Sequence, residues 1–241
     1  MKNSLRYFFN WQFLLFIIFF ISSGAFKSWA ITPAKMKNTK LIKIAFVGDS
    51  LTEGHGLESE SSFPAQIEKI LLQKKYLVKS INGGVSGATA SAGFEAAKWL
   101  IKQKPDVLVV ALGANDGLRG LPLTQTKKYL AQIIELGMKE GSKILLLGIK
   151  LPLNYEKKYR EELEKLYLEL AQKYQVAFQP FFLDKVAGIK KLNNADGIHP
   201  NSKGQYQIAL NILPDLISII DPLITPVKNI PAQNIPVKKK K

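Results

Sequence analysis

The sequence predicts an α/β protein, a three-layer α/β/α sandwich built on a five-stranded parallel sheet. Two observations predict it. From Leu41 onward, short apolar runs alternate with amphipathic stretches of helical spacing, which is the pattern of strand–helix–strand units. One of those runs, Val107 to Leu112, is apolar without a break, as a strand buried on both faces is.

Each element follows from its residues. Leu41 to Val47 reads as the first strand. Phe63 to Lys74 has Ile67, Ile70 and Leu71 on one helical face. Leu77 to Ile81 is the second strand, and Ala90 to Lys102 a helix that stops before Pro105. Val107 to Leu112 is the third strand. Thr124 to Lys139 is a helix closed by Gly141. Lys143 to Ile149 is the fourth strand. Glu156 to Tyr174 is a long charged helix that keeps Leu163, Leu166, Leu170 and Tyr174 on one side. Val176 to Phe178 is a short fifth strand. Ser202 to Ile219 is the last helix, N-capped by Asn201 or Ser202. In parallel sheets of this kind, ligands bind just outside the carboxyl ends of the strands. Ser50, Gly87 and Asn115 fall just beyond the first three strands, which puts them on one rim.

The two ends differ from the middle. Lys2 and Arg6 precede an apolar run from Trp11 to Ile21, and Ser28-Trp29-Ala30 offers small residues where a signal peptidase reads. Residues 1–30 therefore read as a signal peptide cleaved after Ala30, or as an uncleaved N-terminal anchor. Residues 31–40 form a linker, 41–221 the folded domain, and 222–241 a flexible tail rich in proline and lysine. The expected location is periplasmic or secreted, and the inner membrane if the leader stays attached.

Composition narrows the chemistry. With 46% hydrophobic residues the chain can bury a sizeable core. There is no cysteine, so disulfides, Cys-based zinc sites and a thiol nucleophile are excluded. The formal charge of +15 falls to about +7 once the three basic residues of the leader and the five of the tail are set aside. The remaining lysines are spread over helix faces, without the basic stripe and interleaved aromatics of a nucleic-acid surface. Solvated lysines on an exported protein are the first reading of this charge, and weak association with an anionic membrane surface is the alternative. No phosphate-binding Gly-x-x-x-x-Gly-Lys-Ser/Thr run occurs. No metal or cofactor is expected.

Three short segments carry chemistry: Gly48-Asp49-Ser50-Leu51, Gly113-Ala114-Asn115-Asp116 and Asp196-Gly197-Ile198-His199. Each alone is ordinary turn composition. Together they supply a serine, an amide donor, and an imidazole with a carboxylate three residues away. Those are the parts of acyl transfer through a covalent intermediate. His55, the other of two histidines, lies in a Gly-His-Gly loop.

These segments, with Gly87, resemble the four blocks of the SGNH (GDSL) hydrolase family. Asn115 to Gly120 and Leu151 to Tyr155 are similar to its bacterial periplasmic branch, which includes acyl-CoA thioesterase, protease, lysophospholipase and arylesterase activities. The resemblance spans roughly Leu41 to Ile219 and implies a flavodoxin-like architecture. It implies that Ser50 is the nucleophile, His199 the base and Asp196 its orienter. The backbone N–H groups of Ser50 and Gly87 and the side chain of Asn115 would form the oxyanion hole. Asp49, Leu118, Arg119, Leu121 and Pro122 are expected to contact substrate. Three positions depart from that branch: Gly84 replaces a serine, Ala114 a glycine and Lys150 an arginine. The last puts any bidentate contact there in doubt.

The expected activity is hydrolysis of acyl esters, thioesters or lysophospholipids by a monomeric enzyme. A carbohydrate O-acetylesterase on the same scaffold is the alternative, although Leu118, Leu121 and Leu123 favour acyl chains. A catalytically silent lipid- or glycan-binding protein is the alternative of another class, and it lacks the broken triad it would need.

Overall fold

The computed structural model describes residues 36–224. The expected leader, the first half of the expected linker and all but the start of the expected tail lie outside the described residues. Five strands, β1 (Ile42–Gly48), β2 (Val78–Gly84), β3 (Val107–Ala111), β4 (Lys143–Leu147) and β5 (Ala177–Gln179), form one sheet in the order β2-β1-β3-β4-β5, with every pair parallel. This is the flavodoxin-like order. The helices are α1 (Ser50–Glu53), α2 (Phe63–Gln73), α3 (Ala90–Leu100), α4 (Ala114–Leu118), α5 (Leu123–Lys139), α6 (Lys157–Tyr174) and α7 (Ser202–Ile220).

Connection handedness sets the layers. The chain steps from β1 to β2 in one direction, then back past β1 to β3 in the other. Right-handed crossovers put α2 and α3 on opposite faces when the direction reverses. α5 and α6 continue in the second direction, so α5 packs on α3 and α6 on α5, while α7 returns to pack on α2. The centre of the sheet, β1, β3 and β4, is buried between these layers, and all five residues of β3 are buried, whereas most of β2 and all of β5 are not. Phe46 of β1 meets Phe63 of α2 edge to face, with ring centroids 5.7 Å apart. Each side chain so buried stabilises the fold by about 1.5–3 kcal/mol. Without cysteine, this core replaces covalent staples.

The structure departs from the sequence reading in three places. β2 runs on to Gly84 because Gly83 and Gly84 stay in register with Val47 and Gly48. Only glycine fits there: a Cβ at Gly84 would lie 2.2 Å from the Glu53 nitrogen, and one at Gly83 2.5 Å from a Leu100 methyl. Helices α1 and α4 are too short to show a period, and both follow a strand directly. Residues 36–40 belong to the folded unit rather than to a linker. The buried Asn38 donates to the Leu77 carbonyl at 3.0 Å and accepts from the Leu77 N–H at 2.7 Å. No helix among the described residues is long and apolar enough to cross a membrane.

Candidate active site

The reversal of strand order leaves a crevice beyond the carboxyl ends of β1 and β3, the switch point where such sheets bind ligands. Ser50 opens α1 at that rim. Asp49 makes the turn sharp: it stays extended (φ −107°, ψ −151°) and its carboxylate accepts from the Leu51 N–H at 3.0 Å as an N-cap. Asn115 lies in α4 just beyond β3. The neighbouring Asp116 is buried, and its carboxylate accepts from the Ala90 N–H at 2.8 Å and the Thr126 hydroxyl at 3.0 Å. That pair of bonds ties α4 to the start of α3 and to α5.

His199 arrives from the loop before α7. Asn193 and Pro200 close this loop as an isolated antiparallel bridge, and the Asn194 N–H donates to the His199 carbonyl at 2.8 Å. Asn201 caps α7, accepting from the N–H groups of Lys203 and Gly204. Gln205, fully buried, donates to the Leu51 carbonyl at 3.0 Å and accepts from the Phe63 N–H at 2.8 Å. It thereby fastens the helix that follows His199 to the turn of Ser50. Nothing in the sequence marks Gln205, because one polar residue in an amphipathic helix reads as surface.

Nε2 of His199 lies 3.0 Å from Oγ of Ser50, and Nδ1 lies 2.9 Å from Oδ2 of Asp196. Oδ1 of Asp196 accepts from the N–H groups of His199 at 2.9 Å and Ile198 at 2.8 Å. These backbone bonds, joined by the ring bond, hold the Asp196 carboxyl down to about 2. An ionised Asp196 only accepts, so it assigns the Nδ1–H tautomer to His199 and leaves Nε2 to accept from the Ser50 hydroxyl.

Of the three donors expected around the oxyanion, those of Ser50 and Asn115 stand at the cavity described below, and Gly87 is not in its lining. Neither the Ser50 N–H nor the Gly87 N–H has an acceptor among the described residues. Arg119 donates to the Gly87 carbonyl at 3.0 Å, in the peptide that follows the Gly87 N–H. The Asn115 amide donates to Asp49 Oδ2 at 3.3 Å and to the Ala88 carbonyl at 3.2 Å. Both bonds are long, and an anionic oxygen is a stronger acceptor than the neutral carbonyl of Ala88. Asp49 is 1% exposed. Burial pushes its carboxyl up to about 6 against the opposing bonds from Leu51 and Asn115.

A cavity of about 540 Å3 opens beside Ser50, Asn115 and His199, with Leu51, Leu118, Ile149, Leu151, Leu183 and Val186 in its wall. Asp49 and Leu118, expected to contact substrate, line it. Arg119, Leu121 and Pro122 do not line it. Arg119 is turned to Gly87, Leu121 is bonded through its backbone to Asp116 and the Tyr159 hydroxyl, and Pro122 precedes α5 as its N-cap. Lys150 does line the cavity, and its ammonium pairs with Glu164 at 3.2 Å. His55, read from the sequence as a loop residue, lies with its ring 4.5 Å from that of His199.

A hydroxyl, an imidazole and a carboxylate in a hydrogen-bonded line, with N–H donors and an apolar cavity beside them, are equipped for acyl transfer. Comparison with known proteins agrees in kind. The profile of the GDSL-like lipase/acylhydrolase family matches residues 46–207. Esterase TesA of Pseudomonas aeruginosa is 37% identical over 195 residues, covering 80% of this chain and 95% of that protein. Thioesterase 1/protease 1/lysophospholipase L1 of Escherichia coli K12 is 36% identical over 169 residues, covering 69% of this chain and 79% of that one. The crystal structure of TesA superposes with a TM-score of 0.71 at 35% identity, over 73% of this chain and 99% of the other.

Proposed function

Because the chain belongs to the GDSL-like lipase/acylhydrolase family, we propose that it hydrolyses acyl esters and thioesters through an acyl-enzyme on Ser50. It is a serine hydrolase of the SGNH type. His199 Nε2 takes the Ser50 proton as Oγ bonds to the substrate carbonyl carbon. The carbonyl electron pair moves to oxygen, where the N–H groups of Ser50 and Gly87 and the Asn115 amide receive it. The tetrahedral species collapses, the bond to the alcohol or thiol breaks, and the leaving group takes the proton from His199. Water then repeats the sequence: His199 removes its proton, the acyl carbon is attacked, and the acid leaves as Ser50 regains its hydrogen. Asp196 holds the ring and balances the imidazolium charge without itself being protonated.

The observation that carries this reading is the line from Ser50 to His199 to Asp196, with spans of 3.0 and 2.9 Å. The apolar wall of the cavity favours an acyl chain over a sugar, so small esters, thioesters and lysophospholipids are the proposed substrates. One chain supplies every group, so a monomer suffices. The leader supports export to the periplasm, and the surplus of lysine supports weak attraction to anionic membrane surfaces. The test is hydrolysis of short and medium p-nitrophenyl esters by wild type and Ser50→Ala. Equal rates in the two would end the proposal.

A further inference from the structure

We infer, resting on the roles just given to Ser50 and His199, that His55 is a positioning residue that joins the nucleophile's turn, the base's ring and the Gly87 loop into one frame. Three contacts argue for it, one to each part. The N–H groups of His55 and Gly54 both donate to the Ser50 carbonyl, at 3.1 and 3.2 Å. The imidazole lies against that of His199, with centroids 4.5 Å apart and planes tilted by 40°. Nδ1 of His55 is 3.1 Å from the Ser86 hydroxyl, which itself bonds to the Glu53 carboxylate. Ser86 immediately precedes Gly87, whose backbone is left-handed at φ +77°.

The proton inventory gives this chain a direction. A carboxylate only accepts, so the single hydroxyl proton of Ser86 goes to Glu53. Ser86 must then accept from His55, which makes His55 the Nδ1–H tautomer. The two histidines are thus anchored alike: His199 by Asp196 directly, His55 by Glu53 through Ser86. Without His55, one face of His199 opens to water and Ser86 loses its donor. The Gly87 loop would keep its backbone bonds from Val85 to Gly48 and from Ala88 to Val85, which set its course but do not tie it to His199. His55 donates nothing to the reacting atoms, so its effect falls on alignment, where small displacements are costly.

The experiment is steady-state hydrolysis of a p-nitrophenyl ester by the full chain and five variants, with the rates of those that keep Ser50 normalised to active sites titrated by a fluorophosphonate. His55→Phe keeps a flat ring over His199 but removes the donor to Ser86, and Ser86→Ala removes the acceptor. Each should lower kcat about tenfold with KM within about twofold, and the double variant should be no slower than either single, because both break one link. His55→Ala should fall further than His55→Phe, since it also uncovers His199. Single variants within twofold of wild type, losses that multiply in the double variant, losses confined to KM, or losses that vanish on normalisation would each overturn the inference. Ser50→Ala separates the two readings. If it is inactive while the His55 variants match wild type, only the role of His55 falls. If it still turns over ester, the role of Ser50 falls too.

Discussion

Asn115 and Asp49, on different strands' ends and 66 residues apart, are joined by a 3.3 Å hydrogen bond from the Asn115 amide to Asp49 Oδ2. Asp49, the residue before Ser50, therefore aims the side chain of Asn115, the proposed oxyanion donor. Asp49 is a support beneath the cavity floor as much as a lining residue. Its carboxylate is satisfied by Leu51 and Asn115 and has almost no access to water. Keeping it there costs stability, because its folded-state value of about 6 lies above the ordinary 3.8.

Asp49→Asn should separate activity from stability. The new amide has one oxygen for two donors, the Leu51 N–H and the Asn115 amide, so one of them meets its NH2 group, and kcat should fall about tenfold with KM little changed. Folded Asp49 binds its proton more tightly than unfolded Asp49, so wild-type stability falls as pH rises from about 4 through about 6. The variant escapes that loss. Its melting temperature relative to wild type should rise across this window and stay higher above it. A difference independent of pH would contradict the account.

Asn115→Ala removes a contact made most strongly in the transition state. It should lower kcat by about 10²–10³ while leaving KM nearly unchanged. Saturation curves with one ester measure both constants, and a change confined to KM would argue for a ground-state role instead.

Asp196 has the opposite linkage to Asp49. Its folded value of about 2 lies below 3.8, so its contribution is complete above about pH 4 and is lost as pH falls toward 2. The carboxylate is substantially exposed, so the stability at stake is small. Asp196→Ala should lower kcat by about 10³–10⁴ at neutral pH. Acid titration followed by circular dichroism should show the wild-type stability margin over this variant closing between pH 4 and 2.

Gly113→Ala tests the turn that carries Asn115. Gly113 is left-handed at φ +108°, and a Cβ there would lie 2.2 Å from the Tyr167 hydroxyl. That hydroxyl is buried and donates to the Leu112 carbonyl at 2.7 Å. Strain and overlap together should destabilise the protein by about 3 kcal/mol. Urea unfolding measures it, and a loss below about 1 kcal/mol would show that the turn relaxes freely.

Ala187→Phe should read out the acyl site. Ala187 lines the cavity and is exposed to it. A phenyl group there shortens the space for a chain, so kcat/KM should fall for longer p-nitrophenyl esters and hold for acetate. Equal losses at every chain length would place the acyl group elsewhere.

The sheet and its major helices were legible because they are long or strongly apolar; Val107–Ala111 and Leu123–Lys139 declare themselves by pattern. α1 and α4 were not, since four and five residues do not complete a recognisable period. The run of β2 past Ile81 to Gly84 was not legible, because composition does not reveal that Leu100 and Glu53 crowd its two glycines. In the site, Ser50, His199, Asp196 and Asn115 were readable from ordered segments. Gln205 and His55 were not. Each acts on residues far away in the chain, and no local spacing records that the ring of His55 meets one 144 positions later.

The central claim is that the Ser50 oxygen becomes the covalent link to the acyl group. Its most direct test is to react the protein with a fluorophosphonate and locate the adduct by peptide mass spectrometry. One adduct per chain is expected, on the peptide bearing Ser50, strongly slowed in His199→Ala and absent in Ser50→Ala. An adduct on another residue, or undiminished labelling of Ser50→Ala, would contradict the account.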